Sequence, residues 1–426
     1  MPTVPDLQRI ETVNDWLCSL RNRSSKFGLE RMLSLAEAAG HPEKALPSIH
    51  IAGTNGKGST AAMLEALYRS NGYRVGLYTS PHVHRLNERI QINRKPISDE
   101  TLCKQVRRLY AIAEHAFDAE NFPSFFEWIT LIAFQYFNEQ GIDLAIIETG
   151  LGGRLDATNI LVPHLSIITS IGKDHTDILG DSLPAIAREK AGILKRGVPA
   201  LIGEVPKEAE TVIAEYAWQN DCPLHRLANA FEDRARPQTN LVGSYQQHNA
   251  ALAVRATELL AEMFPIRGTH ALKSICWPGR WERRSLGTKT LILDATHNAE
   301  AGLQLAENLE ATIKADGQKP LIITGILGEE RARALLPILS RYARELYLLE
   351  PKQPRACSAK TLIQLLAPSF PNKPIVSSVQ TLFSCGKCHI GDEGDTLVVT
   401  GSIYLIAEIL NQIEGKDPDP IGQDLI

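Results

Sequence analysis

A chain of 426 residues, 44% hydrophobic and 22% charged, has the composition of a globular protein and enough length for two or three domains. Its net charge of −4 excludes strong general attraction to nucleic acid or to an anionic membrane. No run approaches the roughly 18 apolar residues of a membrane span, no basic-then-apolar leader follows Met1, and seven scattered cysteines do not suggest a disulfide framework, so a cytoplasmic protein with reduced thiols is expected, with a monomer as the default.

From Ser48 onward, apolar runs alternate with amphipathic stretches. Ser48–Ala52 reads as a buried strand. Lys57–Asn71 reads as a helix, with Ala61, Leu64, Leu67 and Tyr68 at helical spacing, ended by Gly72. Arg74–Thr79 is the next strand, which makes a βαβ unit with parallel strands. A helix at Thr130–Gln140 leads into a strand at Asp143–Glu148. Strands at His164–Ser170 and Val198–Ile202 and a helix at Ser244–Met263 follow. The charged stretch Cys276–Ser285, with Pro278 and Gly279, breaks this rhythm and places a domain boundary between Ser285 and Leu286. Beyond it, strands at Thr290–Asp294, Pro320–Gly325, Glu345–Leu349 and Thr396–Thr400 alternate with helices near Ala299–Ile313, Glu329–Ala343, Ala359–Leu366 and Ile403–Ile413. The fold class is α/β: a P-loop parallel-sheet nucleotide-binding domain over 1–285, then a smaller Rossmann-like domain over 286–426. The tail Glu414–Ile426 reads as disordered or loosely docked.

Cys385-Gly-Lys-Cys388-His389 has the spacing of a haem-attachment or redox pair. Haem attachment requires export, so the simpler reading is two partly buried cysteines near the end of a surface helix.

The strongest local signal is Gly53-Thr-Asn55-Gly56-Lys57-Gly58-Ser59-Thr60. Glycines let successive amides turn toward one anion, and the helix that follows adds its positive end. Lys57 would reach the β- and γ-phosphates of ATP, and Ser59 or Thr60 would offer a hydroxyl to Mg²⁺. The spacing departs from the common G-x-x-x-x-G-K-[ST] pattern, because Gly53 stands only three residues before Gly56 and Gly58 separates Lys57 from Ser59.

Mg²⁺ takes hard oxygen ligands. Glu148 ends a buried strand, where a parallel sheet presents ligands to a nucleotide. It opens the glycine-rich loop that runs through Asp156 to Asn159. Ser80-Pro-His82 and Asp174-His175-Thr-Asp177 follow two other strands and point to the same face. Lys190, by contrast, reads as a solvated helix lysine.

Taken together, these segments resemble the folylpolyglutamate synthase/dihydrofolate synthase family within the Mur ligase group. The resemblance covers nearly the whole chain. It rests on Gly53–Thr60, Thr79-Ser-Pro-His82, Glu88-Arg-Ile90, Phe126-Glu127, Glu148–Asn159, Asp174–Gly180 and Glu189–Gly192. It continues through His248-Asn-Ala250, Pro278-Gly-Arg280, Asp294–Asn298, Pro354-Arg-Ala356 and Thr400-Gly-Ser402. It implies an ATP-dependent carboxylate–amine ligase that joins L-glutamate to dihydropteroate or a reduced folate through an acyl phosphate. It further implies that Asn55, Gly56, Lys57, Gly58, Ser59, Thr60, Asn249, Arg280 and Asp294 contact ATP, and that Ser59, Ser80, Glu148 and His175 hold Mg²⁺. Lys57, His175 and Lys190 would be catalytic, with Lys190 carbamylated. Gly28, Leu29, Phe126, Glu127, Asp156 and Ala157 would line the pteroate pocket, and His297 and Ser402 the glutamate site.

Two segments depart from the family pattern. Family members often read Asp-Gly-Ala-His-Asn where this chain has Asp294-Ala-Thr-His-Asn298, and Gly325–Arg331 lacks the expected Lys-Asp pair. A peptidoglycan-precursor ligase of the same architecture and a P-loop ATPase acting on a protein partner are the competing readings. The folate branch is favoured by Phe126-Glu127 and Asp174–Asp177, and a ligase over an ATPase by the complete second domain.

Overall fold

The apolar run Ser48–Ala52 forms β1, the middle of a larger sheet, and every one of its side chains is buried. The computed structural model describes residues 7–20, 28–231, 235–366 and 373–416. In chain order the strands beside β1 are β2 (Val75–Tyr78), β3 (Ile90–Ile92), β4 (Lys95–Pro96), β5 (Leu144–Glu148), β6 (Leu165–Ile168), β7 (Ala200–Ile202) and β8 (Leu224–Arg226). They lie in the order β4-β3-β2-β5-β1-β6-β7-β8, parallel except for the β3 and β4 edge. Alternation along β5 sends Ala145 and Ile147 to one face and Leu144 and Ile146 to the other. The first face packs against helices Ile10–Ser19, Glu30–Ala38, Asp99–Ala116 and Phe125–Glu139, and the second against Lys57–Ser70 and Ser244–Leu259. Such double coverage explains why these strands read as largely apolar runs rather than as alternating ones.

The smaller sheet contains β9 (Glu282–Leu286), β10 (Lys289–Asp294), β11 (Leu321–Thr324), β12 (Glu345–Leu348), β13 (Ile375–Val376) and, after a short hairpin of β14 (Phe383–Ser384) and β15 (Lys387–Cys388), β16 (Thr396–Thr400). Its order is β13-β12-β11-β16-β10-β9, with only β9 antiparallel. The boundary expected between Ser285 and Leu286 therefore falls inside a strand. The second sheet begins at Glu282, because the charged residues of β9 alternate along an edge, with Glu282 and Arg284 half-buried and Arg283 and Ser285 exposed.

Three further local expectations change. The helix expected from Thr130 starts at Phe125, because Ser124 and Glu127 cap it reciprocally. Cys385 and Cys388 sit on the β14–β15 hairpin, not on a helix, and the Cys388 thiol lies 3.6 Å from the Ile390 carbonyl. The helix containing Lys190, Leu183–Ala191, packs with its lysine turned inward. Helix Ile403–Glu414 ends at Gly415, and most of the expected tail lies outside the described residues.

Candidate active site

The C-terminal ends of β1, β5 and β6 face those of β10 and β16 across a cleft of about 520 Å³. Its walls include the whole Gly53–Ser59 loop, Ser80, Glu148, Asp174, His175 and Lys190 from the first sheet's side. From the other side come Arg280, Asp294, His297, Arg331 and Ser402.

The phosphate loop is tied to the end of β6. The Thr54 amide donates to the Ser170 carbonyl at 3.0 Å, the Asn55 amide to Ser170 Oγ at 2.9 Å, and Thr169 Oγ1 to the Asn55 carbonyl at 2.6 Å. Gly56 takes a left-handed φ of 85°, and a Cβ there would meet Asn249 Oδ1 at 2.4 Å, so both conformation and contact require glycine. Lys57 Nζ curls back to donate to the carbonyls of Gly53 (3.0 Å) and Thr54 (3.3 Å), which places its charge over the loop. Behind the loop, Gln246 Nε2 donates to Ser59 Oγ at 3.3 Å, and Asn249 Nδ2 donates to Gln246 Oε1 at 3.0 Å. Thr60 Oγ1 is buried with no hydrogen-bond partner among the described residues.

Glu148 ends β5 and is buried, accepting from the Ser80 amide at 3.3 Å. Burial pushes its carboxyl up to about 7 despite the opposing pull of Lys57, the Ser80 amide, Arg280 and Arg89. Lys190 overturns the reading of a solvated lysine. It is 3% exposed, and its Nζ donates to the Gly53 carbonyl at 3.0 Å. Burial, helped by the charge of Lys57, brings its ammonium down to about 7. The helical pattern of its own segment carries no signal for this, because the partner is 137 residues away.

Asp174 is the hub on which the second domain closes. Arg331 donates to its Oδ1, Asn298 Nδ2 to its Oδ2 at 3.2 Å, and His297 Nε2 lies 3.3 Å from Oδ2. Burial alone would raise this carboxyl, but His297, Arg331 and His175 reverse the effect and hold it well below the usual carboxylate range. Arg331 also approaches His175 Nε2 at 3.2 Å, while His175 Nδ1 is buried with no hydrogen-bond partner among the described residues. Burial first, then Arg331, His297 and Arg355, bring His175 down to about 4 against the pull of Asp174. Asn298 caps helix Ala299–Asp316 and links to Asn55, whose Nδ2 also donates to Glu300 at 2.7 Å. Asp294 accepts from the amides of Trp281 (3.0 Å) and Thr296 (3.1 Å), and Ser402 caps the last helix through the Tyr404 amide. Arg331 and Asn298 carried no catalytic signal in the sequence, although Asn298 precedes an amphipathic run as a helix cap does.

The donor set at Ser59, Ser80 and Glu148 is made of oxygens, which fits Mg²⁺ sharing its remaining ligands with phosphates. Among the described residues no three His, Cys, Asp or Glu side chains gather closely enough to hold a metal by themselves. His175 fits less directly, since Arg331 already faces its Nε2.

The six residues expected at the pteroate pocket do not line this cleft. Glu127 accepts from Arg31 Nε at 2.7 Å and from the Ser124 amide at 2.7 Å, beside the helix that follows Gly28 and Leu29. Phe126 covers Gly150, where a Cβ would come within 2.5 Å of its ring. Asp156 accepts from the amides of Gly150 (2.8 Å), Leu151 (2.9 Å) and Thr158 (3.0 Å), and Ala157 is buried next to it. Phe126 and Asp156 thus shape the loop after Glu148.

Comparisons with known proteins decide the family. Residues 51–215 match the Mur ligase middle domain. The chain is 34% identical to the dihydrofolate synthase/folylpolyglutamate synthase of Bacillus subtilis (strain 168), over 95% of this chain and 99% of that one. The chain belongs to the dihydrofolate synthase/folylpolyglutamate synthase family. As a member it is an ATP-dependent ligase of folate metabolism, with the α/β architecture of the Mur ligases. The structure of Mycobacterium tuberculosis folylpolyglutamate synthase complexed with ADP and AMPPCP aligns with a TM-score of 0.81 at 28% identity, covering 96% of this chain and 99% of that one. A bifunctional folylpolyglutamate synthase/dihydrofolate synthase with Mn, AMPPNP and L-glutamate bound aligns with a TM-score of 0.81 at 30% identity, covering 96% and 98%.

Proposed function

We propose that this chain joins L-glutamate to dihydropteroate, to (poly)glutamylated tetrahydrofolate, or to both, through an acyl phosphate made from ATP. The carrying observation is that the phosphate loop, Glu148 and Lys190 share one cleft with His297, Asp294 and Ser402 from the other sheet. A phosphorylated intermediate and an amine donor can therefore meet without release. In the first step a carboxylate oxygen of the acceptor attacks the γ-phosphorus and ADP leaves. In the second the glutamate nitrogen attacks the acyl carbon, loses a proton, and expels phosphate.

Asn55 and Gly56 to Thr60 would hold the phosphates, with Asn249 behind them. Lys57 and Arg280 would place fixed positive charge against the transferred group. Asp294 would contact the nucleotide from the second domain. A divalent cation at Ser59, Ser80, Glu148 and His175 would supply further charge stabilisation to the phosphoryl group. His297 and Ser402 would orient the glutamate. Gly28, Leu29, Phe126, Glu127, Asp156 and Ala157 would act from the outer side of the Glu148 loop, toward the pterin end of the acceptor. In this division the domain of the larger sheet carries folate and most of the ATP site, and the domain of the smaller sheet, from Glu282 onward, carries glutamate.

The depressed ammonium of Lys190 supports carbamylation, because a neutral amine can take up CO₂ with loss of a proton to solvent. Native mass spectrometry of protein kept in bicarbonate would show the added CO₂, and its absence would leave Lys190 as an amine. Among the described residues no helix is long and apolar enough to cross a membrane, and we place the enzyme in the cytoplasm as a monomer.

Phosphate release from Mg²⁺–ATP tests the reading, with L-glutamate and either dihydropteroate or a reduced folate. Release that needs both partners, with one glutamate mass added to the acceptor, is the expected result. Release indifferent to both would leave a bare ATPase.

A further inference from the structure

We propose that Trp277 is a positioning residue, which pins the crossover between the two sheets onto the phosphate loop so that Arg280 faces the transferred phosphate. This deepens the proposed function and rests on its assignment of Arg280 to the nucleotide phosphates.

Gly58 is the residue that makes this phosphate loop unusual, standing between Lys57 and Ser59 in the first turn of helix Lys57–Ser70. It is buried, and its backbone is helical, so conformation alone does not demand glycine. The neighbour favours it. A Cβ at Gly58 would lie 3.1 Å from both Cζ2 and Nε1 of Trp277, tight enough that the ring would have to give by a few tenths of an ångström. The indole rests on the bare backbone of the loop. Arg94 lies over the ring, its guanidinium carbon 5.1 Å from the centroid, and its Nη2 donates to the Cys276 carbonyl at 2.9 Å.

Two and four residues further on, the same crossover is fixed to the second sheet. The Ala295 amide donates to the Gly279 carbonyl at 2.8 Å, and the Trp281 amide to Asp294 Oδ2 at 3.0 Å. Trp281 is held at a φ of 52°, a left-handed conformation that costs a bulky residue and persists only where surroundings impose it. Arg280 thus hangs between one pin on each sheet. Its side chain reaches the cleft and bears on Glu148. Removing the first pin frees the crossover on the side of the phosphate loop while leaving Arg280 chemically intact.

A double-mutant cycle on ATP-dependent turnover tests this. Arg280→Ala should lower kcat about 100-fold. Trp277→Ala should lower it about 10-fold by misplacing the guanidinium, with the thermal midpoint recorded for each variant. If Trp277 acts through Arg280, the double variant is no slower than Arg280→Ala alone. A further drop of about 10-fold, making about 1,000-fold in all, means that Trp277 contributes independently, and overturns the proposal. Wild-type kcat in Arg280→Ala would remove Arg280 from the phosphate site, and with it the reason for a pin. That failure shows in the single variant and is distinct from failure of the coupling. If Trp277→Ala does not fold, Trp277→Phe enters the same cycle, with the same non-additivity required.

Discussion

The phosphate loop and the Asp174 hub lie in the same cleft, yet they are built in opposite ways. The loop is local: eight consecutive residues, Gly53–Thr60, carry its turn, its cation and its hydroxyls. The hub is assembled from Asp174, His297, Asn298 and Arg331, which span more than 150 positions and two sheets. A local device is readable from order alone, because chain connectivity sets its geometry. A distributed one becomes visible only when the sheets face each other. The two should also fail differently. Damage to the loop should abolish phosphoryl transfer, whereas damage to the hub should spare it and weaken what the second domain contributes.

The sharpest test of the loop is Lys57→Ala. Turnover should fall by about 1,000-fold with little change in thermal midpoint, and normal turnover would take the loop out of the mechanism. Glu148→Gln comes next. The Mg²⁺ concentration for half-maximal activity should rise at least roughly 10-fold, and an unchanged metal titration would exclude Glu148 as a ligand. Asp174→Asn keeps the shape of the hub and removes its charge. A charge-assisted hydrogen bond is worth roughly 2 kcal/mol, so kcat/KM for glutamate should fall about 30-fold with the KM for ATP little changed. Equal losses for both substrates would erase the distinction between loop and hub.

The smallest effect concerns stability. His50, in β1 beneath the loop, is fully buried, with Nε2 2.8 Å from Thr158 Oγ1. Burial, aided by the charge of Lys195, lowers it to about 3 from the 6.5 of a free imidazole. Because the folded form resists protonation, its stability is intact above the unfolded value. It is lost as pH falls from about 6.5 toward 3. At pH 5 the loss is about 2 kcal/mol relative to neutrality. His50→Gln should remove that part of the acid sensitivity, measured by urea unfolding at pH 7 and pH 5. An unchanged pH dependence would show that His50 opens to water.

Much of the architecture was legible because buried strands and amphipathic helices differ in period. β1 and β16 match the expected Ser48–Ala52 and Thr396–Thr400. Local signals are weak or conflicting in two places: the charge of the edge strand β9 resembles a break, and the hairpin at Cys385–Cys388 resembles a helix end.

The sequence by itself determined the alternating α/β order, the phosphate loop and the acid at the end of β5, since each depends on neighbours along the chain. Only the tertiary structure decided that Lys190 is buried against Gly53, that Asp174 gathers three groups from the second domain, and that Trp277 packs against the bare backbone of Gly58. These are contacts between residues far apart in sequence. Their energies arise from desolvation and close packing, which exist only once the two sheets have met.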